Sequence, residues 1–101
     1  MKMSNPPHPG RYIAEAMDEL QIGTRELARA LDVAPSTVTR LVAGNAALTP
    51  DMAVRLAAVI GSTPEMWLRL QSVWSLAKAE QEIDLGRLTR LYKTDPCAMP
   101  G

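Results

Sequence analysis

The sequence predicts an all-α domain of five helices, the last of them the longest. Three observations predict it. Apolar residues recur at helical spacing through almost the whole chain, no stretch alternates apolar with polar residues over a useful length, and glycines and prolines fall mainly between the periodic stretches. With 101 residues, 47% apolar and 22% charged, the chain has material for one compact core, and its composition is that of a folded protein rather than a disordered one.

The first helix begins near Gly10, after the turn PPHPG, with Ile13, Ala16, Met17 and Leu20 at i, i+3, i+4 and i+7 as its buried stripe. It stops between Gln21 and Gly23. Gly23 then serves as N-cap of a short second helix, Thr24 to Leu31, on which Glu26 can accept from the free amides of the first turn and Leu27, Ala28 and Leu31 face inward. Asp32 stands at a sharp turn, and Asp is among the few non-glycine residues that tolerate left-handed backbone. Pro35 suits the first position of a third helix, because its missing N–H would be unpaired there anyway. That helix runs to about Ala43, and Gly44 ends it.

Thr49-Pro50-Asp51 opens a fourth helix through Met52, Ala53, Leu56, Ala57 and Ile60, closed by Gly61. Thr63-Pro64-Glu65 opens the fifth. On it Met66, Trp67, Leu70, Val73, Trp74 and Ala77 fall in one sector roughly 120° wide, which is expected to pack on the other helices. A weaker apolar sector of Leu68, Leu76, Ala79 and Ile83 is left without a cover. Gly86 is expected to bend or end the helix before Leu88, Leu91 and Tyr92, and Pro96 to Gly101 reads as a loose tail. The organisation is then an N-terminal segment, 1–9, a helical domain, 10–85, and a C-terminal extension, 86–101.

Composition narrows the function. MKMSNPPHPG holds no apolar segment that could export or anchor the chain, so a cytoplasmic protein with no membrane partner is expected. The single cysteine, Cys97, excludes an internal disulfide and offers no zinc spacing. One histidine, one cysteine and scattered carboxylates do not make a catalytic constellation, so no enzyme, metal, cofactor or small-molecule substrate is expected. His8, before Pro9, reads as structural or solvated, and the pair Trp67 and Trp74 as core rather than a ligand cage.

The stretch from Thr24 to Ala43 carries a positive signal. Two helices of about eight residues joined by a short turn match the helix-turn-helix unit, whose second helix lies in the DNA major groove. Leu27, Leu31, Val33, Val38 and Leu41 stand where the two helices pack on each other, and Ala28 is small where they approach. That leaves Ser36, Thr37 and Arg40 on the outward face of the third helix, with Thr39 at its edge, as the candidate base readers. Thr24, Arg25, Asn45 and the amides that open the third helix at Pro35 are candidate phosphate contacts. The outward face holds no carboxylate, although the whole chain balances 11 basic against 11 acidic residues. A neutral domain makes a weak phosphate footprint, so two copies on one site are expected, paired through the spare sector of the fifth helix.

These residues resemble the Cro/C1-type (XRE) helix-turn-helix family, and within it the HigA-type antitoxins, also known as VapI or plasmid-maintenance antidote proteins. The resemblance covers about residues 8–85 and is carried by HPG, by ELARALDVAPSTVTRLVAGNAALTPDMAVRLA and by GSTPEMWLRLQSVWSLA. It implies a lambda-repressor-like five-helix bundle and a homodimer that binds an inverted-repeat operator in its own promoter. It also implies a HigB-type toxin partner of the RelE-like mRNA-cleaving class. A stand-alone Cro/C1-type regulator with no toxin is the alternative. Two departures stand out: Pro35 replaces the glutamine common at the start of the third helix, and Asp32 replaces the turn glycine. The residues leave the toxin-binding surface open between the N-terminal segment with the first helix, the acidic run Glu80, Glu82 and Asp84, and the tail with Arg87, Arg90 and Lys93.

Overall fold

A computed structural model describes residues 5–92. Cys97, Lys93, the Pro96–Gly101 tail and the first four residues of the N-terminal segment lie outside the described residues. The described chain forms five α-helices and one short 3-10 turn: α1 Pro9–Leu20, α2 Thr24–Leu31, α3 Pro35–Val42, α4 Pro50–Val59, α5 Pro64–Glu82, and the turn Leu85–Arg87. The fold is all-α among the described residues, and α5, with 19 residues, is the longest element.

Each boundary has a local cause. α1 starts one residue earlier than expected, at Pro9, because the His8 ring caps it: Gly10 N–H donates to His8 Nδ1 at 2.9 Å. It ends on Gln21, which adopts left-handed backbone (φ 56°) while the Ile22 N–H donates back to the Met17 carbonyl at 3.0 Å. Prolines occupy the first turn of α3, α4 and α5, and the Thr49 and Thr63 hydroxyls accept from the Met52 and Met66 amides to cap α4 and α5. α5 stops before Gly86 is reached, with Ile83 extended beyond its end.

The core gathers Ile13 of α1, Leu27, Ala28 and Leu31 of α2, Val38 and Leu41 of α3, Leu48, Met52, Ala53 and Leu56 around α4, and Trp67 of α5. Burial of each large aliphatic side chain contributes about 1.5–3 kcal/mol. Leu20, expected in the α1 stripe, is exposed at the end of α1.

The largest correction concerns α5. Met66 and Val73 were expected to pack, yet both are exposed, while Trp67 is buried and Leu68, placed in the uncovered sector by sequence, packs against the core. The covered line runs through Trp67, Gln71 and Trp74, spaced as one face of a helix requires. Its rotation is set by two polar anchors. The Trp67 indole N–H donates to the Gly61 carbonyl at 3.0 Å, and the Gln71 Oε1 accepts from the buried loop amide of Leu48 at 2.7 Å. Met66, Val73 and Leu76 of α5, and Ile83 just past its end, are consequently left exposed on one side, interspersed with Arg69 and Glu80. No helix among the described residues is long and apolar enough to cross a membrane.

Candidate nucleic-acid interface

α2 and α3 form the expected helix-turn-helix, and its packing is tight. Leu27, Ala28, Leu31, Val38 and Leu41 are all at most 3% exposed. Asp32 closes α2 in left-handed backbone (φ 60°), with its own N–H donating to the Arg29 carbonyl at 3.2 Å and the Val33 N–H to the Ala28 carbonyl at 3.0 Å. An aspartate in place of glycine thus makes the same turn, at the strain expected of an L residue there.

Ser36 and Arg40 stand at i and i+4 on α3 and are exposed. Thr39 and Thr37 exchange the places expected of them: Thr39 is exposed and Thr37 half-buried. The reason is the rotation of α3. Thr37 lies one turn before buried Leu41 and so borders the packed side, whereas Thr39 lies one turn before exposed Ala43 and faces outward. The Thr39 hydroxyl donates to the Pro35 carbonyl at 3.1 Å, so its methyl and its remaining oxygen lone pairs are what it can present. Among the described residues the Arg40 guanidinium has neither an ion pair nor a hydrogen bond, and the exposed Arg25 at the start of α2 is likewise unpaired. Both cations are therefore available to an anionic or acceptor-rich surface.

The remaining candidates lie at helix ends. Thr24 is the first residue of α2 and half-buried; Gly23 before it supplies no side-chain cap, so the first amides of α2 are open to an anion. Pro35 is exposed at the start of α3, whose N-cap, Ala34, also lacks a capping side chain. Asn45 is exposed beyond the other end of α3, where its N–H donates to the Arg40 carbonyl at 2.9 Å. Its loop is held from behind by residues that no DNA motif pointed to. Gly44 has φ +81°, and a β-carbon on it would sit 3.7 Å from the His8 ring. His8 is hydrogen-bonded to the Ala46 backbone and meets Trp74 of α5 edge-on, with ring centroids 4.8 Å apart. Burial lowers the His8 pKa below the usual histidine value, and the Ala46 bond opposes the shift. The lone signal for this arrangement was the short HPG run itself.

An exposed α3 face with a free arginine and no carboxylate, on a tightly packed helical pair, is the arrangement by which a helix-turn-helix enters the major groove. A helix-turn-helix family model matches residues 13–68. The chain belongs to the Cro/C1-type helix-turn-helix family. It is 58% identical over 91 residues to the uncharacterized HTH-type transcriptional regulator YddM of Escherichia coli K12, covering 90% of this chain and 97% of that one. The solved structure of antitoxin GraA in complex with its operator superimposes with a TM-score of 0.78 at 38% identity, covering 91% of this chain and 96% of that one. Antitoxin HigA of Pseudomonas aeruginosa with the higBA promoter does so with a TM-score of 0.78 at 33% identity, over 87% and 100% of the two chains. The last two are antitoxins, one solved with its operator and the other with a promoter.

Proposed function

We propose that this protein is a HigA-type antitoxin: a homodimeric, sequence-specific repressor that binds an inverted repeat in its own promoter and neutralises a HigB-type mRNA-cleaving toxin. The observation that carries the DNA half is the outward face of α3, where Ser36, Thr39 and the unpaired Arg40 stand exposed beside the uncapped helix start at Pro35. In this reading Arg40 donates to a guanine O6 and N7, Ser36 and Thr39 contact neighbouring base edges, and Thr37 contributes from the margin of that face. Thr24, Arg25 and Asn45 hold phosphates and set the register.

Two copies supply what one neutral domain lacks. The exposed Met66, Val73 and Leu76 of α5, with Ile83 just past its end, form the surface through which they pair, placing two recognition helices about 34 Å apart on half-sites one helical turn, or a multiple of it, from each other. The toxin half rests on kinship with proteins named antitoxins. The similarity to YddM, named as a transcriptional regulator, favours a second reading in which the chain represses without a toxin partner.

A small basic reading frame of about 100 residues beside the gene favours the antitoxin, and co-expression with its product separates the two. Under the antitoxin reading the two proteins co-purify and the complex suppresses mRNA cleavage. A neighbour that neither binds nor arrests growth when expressed alone overturns it and leaves the stand-alone regulator.

A further inference from the structure

Arg55 lies on α4, outside every motif that pointed to DNA, yet its side chain reaches the turn between α2 and α3. Its Nη1 donates to the carbonyl oxygens of Leu31 at 2.8 Å and Asp32 at 3.2 Å, and its Nε donates to the Asp51 carboxylate one turn earlier on α4. The Leu31 and Asp32 carbonyls belong to the end of α2, where helix geometry leaves acceptors without intrahelical partners, and a cation there also suits the negative pole of the helix. The corner they flank is the one in which Asp32, a non-glycine residue, is held at φ 60°.

We infer that Arg55 is a positioning residue for DNA recognition, pinning the corner from which α3 departs and so the angle at which Ser36, Thr39 and Arg40 are presented. This rests on the DNA-binding reading above. The start of α3 has no side-chain cap, and the one side-chain hydrogen bond given for α3 among the described residues, Thr39 to Pro35, stays within the helix. Packing of Val38 and Leu41 holds α3 on the core but is not directional. The directional side-chain bonds at the corner come from the guanidinium, in addition to the backbone bonds of the Asp32 and Val33 amides, and its planar fork fixes the direction of its donors. Asp51 is an independent handle: it orients Arg55, and no contact of its own with the turn is seen.

The test uses the full chain as Arg55→Gln, Arg55→Lys, Asp51→Asn and the double variant Arg55→Gln/Asp51→Asn. Hydrogen exchange in the free protein is read first. Arg55→Gln should speed exchange of the Asp32 and Val33 amides selectively, leaving the α5 amides from Leu70 to Trp74 at wild-type rates. Binding is then measured to the duplex upstream of its own gene and to an unrelated duplex of equal length. Arg55→Gln should lower the ratio of the two affinities by about tenfold, the size expected for loss of hydrogen bonds to a charged group. Arg55→Lys should restore melting temperature more fully than discrimination, because a lysine keeps the charge without the fork. Asp51→Asn should lower the ratio in the wild-type background and change nothing once Arg55 is gone.

Uniform acceleration of exchange, equal loss on both duplexes, or an Asp51→Asn effect that persists without Arg55 would overturn the inference. A wild-type protein that does not distinguish the duplexes removes the DNA reading itself, and the recognition role of Arg55 with it.

Discussion

A β-carbon placed on Gly10 would overlap the carbonyl oxygen of Leu41, so α1 begins in direct backbone contact with the end of α3. In a helix, glycine to alanine ordinarily stabilises by up to about 1 kcal/mol. Here the neighbour is backbone and cannot swing aside, and overpacking of that kind costs about 1–3 kcal/mol. Gly10→Ala is therefore expected to destabilise despite its better helix propensity, lowering the melting temperature by about 4–8 °C per kcal/mol in a domain of this size. Unchanged melting would mean that α1 and α3 can separate freely.

His8 should give stability a pH dependence of known sign. Its folded pKa is lowered below the ordinary 6.5, so below that pH the unfolded chain binds more protons than the folded one. Stability from this residue is complete above pH 6.5 and declines as pH falls toward the folded value. Protonation would also turn Nδ1 into a donor facing the Gly10 N–H. Lys78, a cation over the Trp74 ring that His8 meets edge-on, adds no compensation. With one histidine in the chain, His8→Asn should flatten the pH profile of the melting temperature just below neutrality while keeping a capping acceptor. A slope that survives in His8→Asn would assign it elsewhere.

The two unpaired arginines of the interface should behave differently. Arg40→Ala is expected to weaken binding to the promoter by about 1–3 kcal/mol and to relax preference at one base pair, whereas Arg25→Ala should weaken all duplexes alike and reduce the salt slope by about one. Binding measured against a set of single-base variants distinguishes them. An equal loss on every sequence for Arg40→Ala would make it a phosphate contact too.

Leu76 is 61% exposed on the side of α5 that carries Met66 and Val73, so a charge there costs the isolated domain little. Sedimentation of the wild-type chain at micromolar concentration should give a dimer, and Leu76→Glu a folded monomer with much weaker promoter binding. A wild-type monomer would overturn the dimer, and a Leu76→Glu dimer would place the pairing surface elsewhere.

The sequence made α2, the turn at Asp32, α3 and the caps at Thr49 and Thr63 legible, because each depends on residues close in the chain. What it could not convey was rotation. α5 turns its Trp67–Gln71–Trp74 line inward because Gln71 meets the Leu48 amide and Trp67 the Gly61 carbonyl. A polar residue in a buried stripe is invisible to a count of apolar spacing. The same difficulty exchanged Thr37 with Thr39 on α3, where Thr37 borders buried Leu41 one turn on and Thr39 the exposed Ala43. His8 reads from the sequence alone as structural or solvated, yet its ring caps α1 against partners from residues 44–46 and 74, too distant in sequence for any local pattern.

Fluorescence anisotropy of the wild-type chain on the duplex from its own promoter, over a salt series and beside an unrelated duplex, tests the central claim most directly. Tighter binding to the promoter is expected at every salt concentration, with affinity falling as salt rises and the preference lost in Arg40→Ala. Equal affinity for the two duplexes, or a preference untouched by Arg40→Ala, would contradict it.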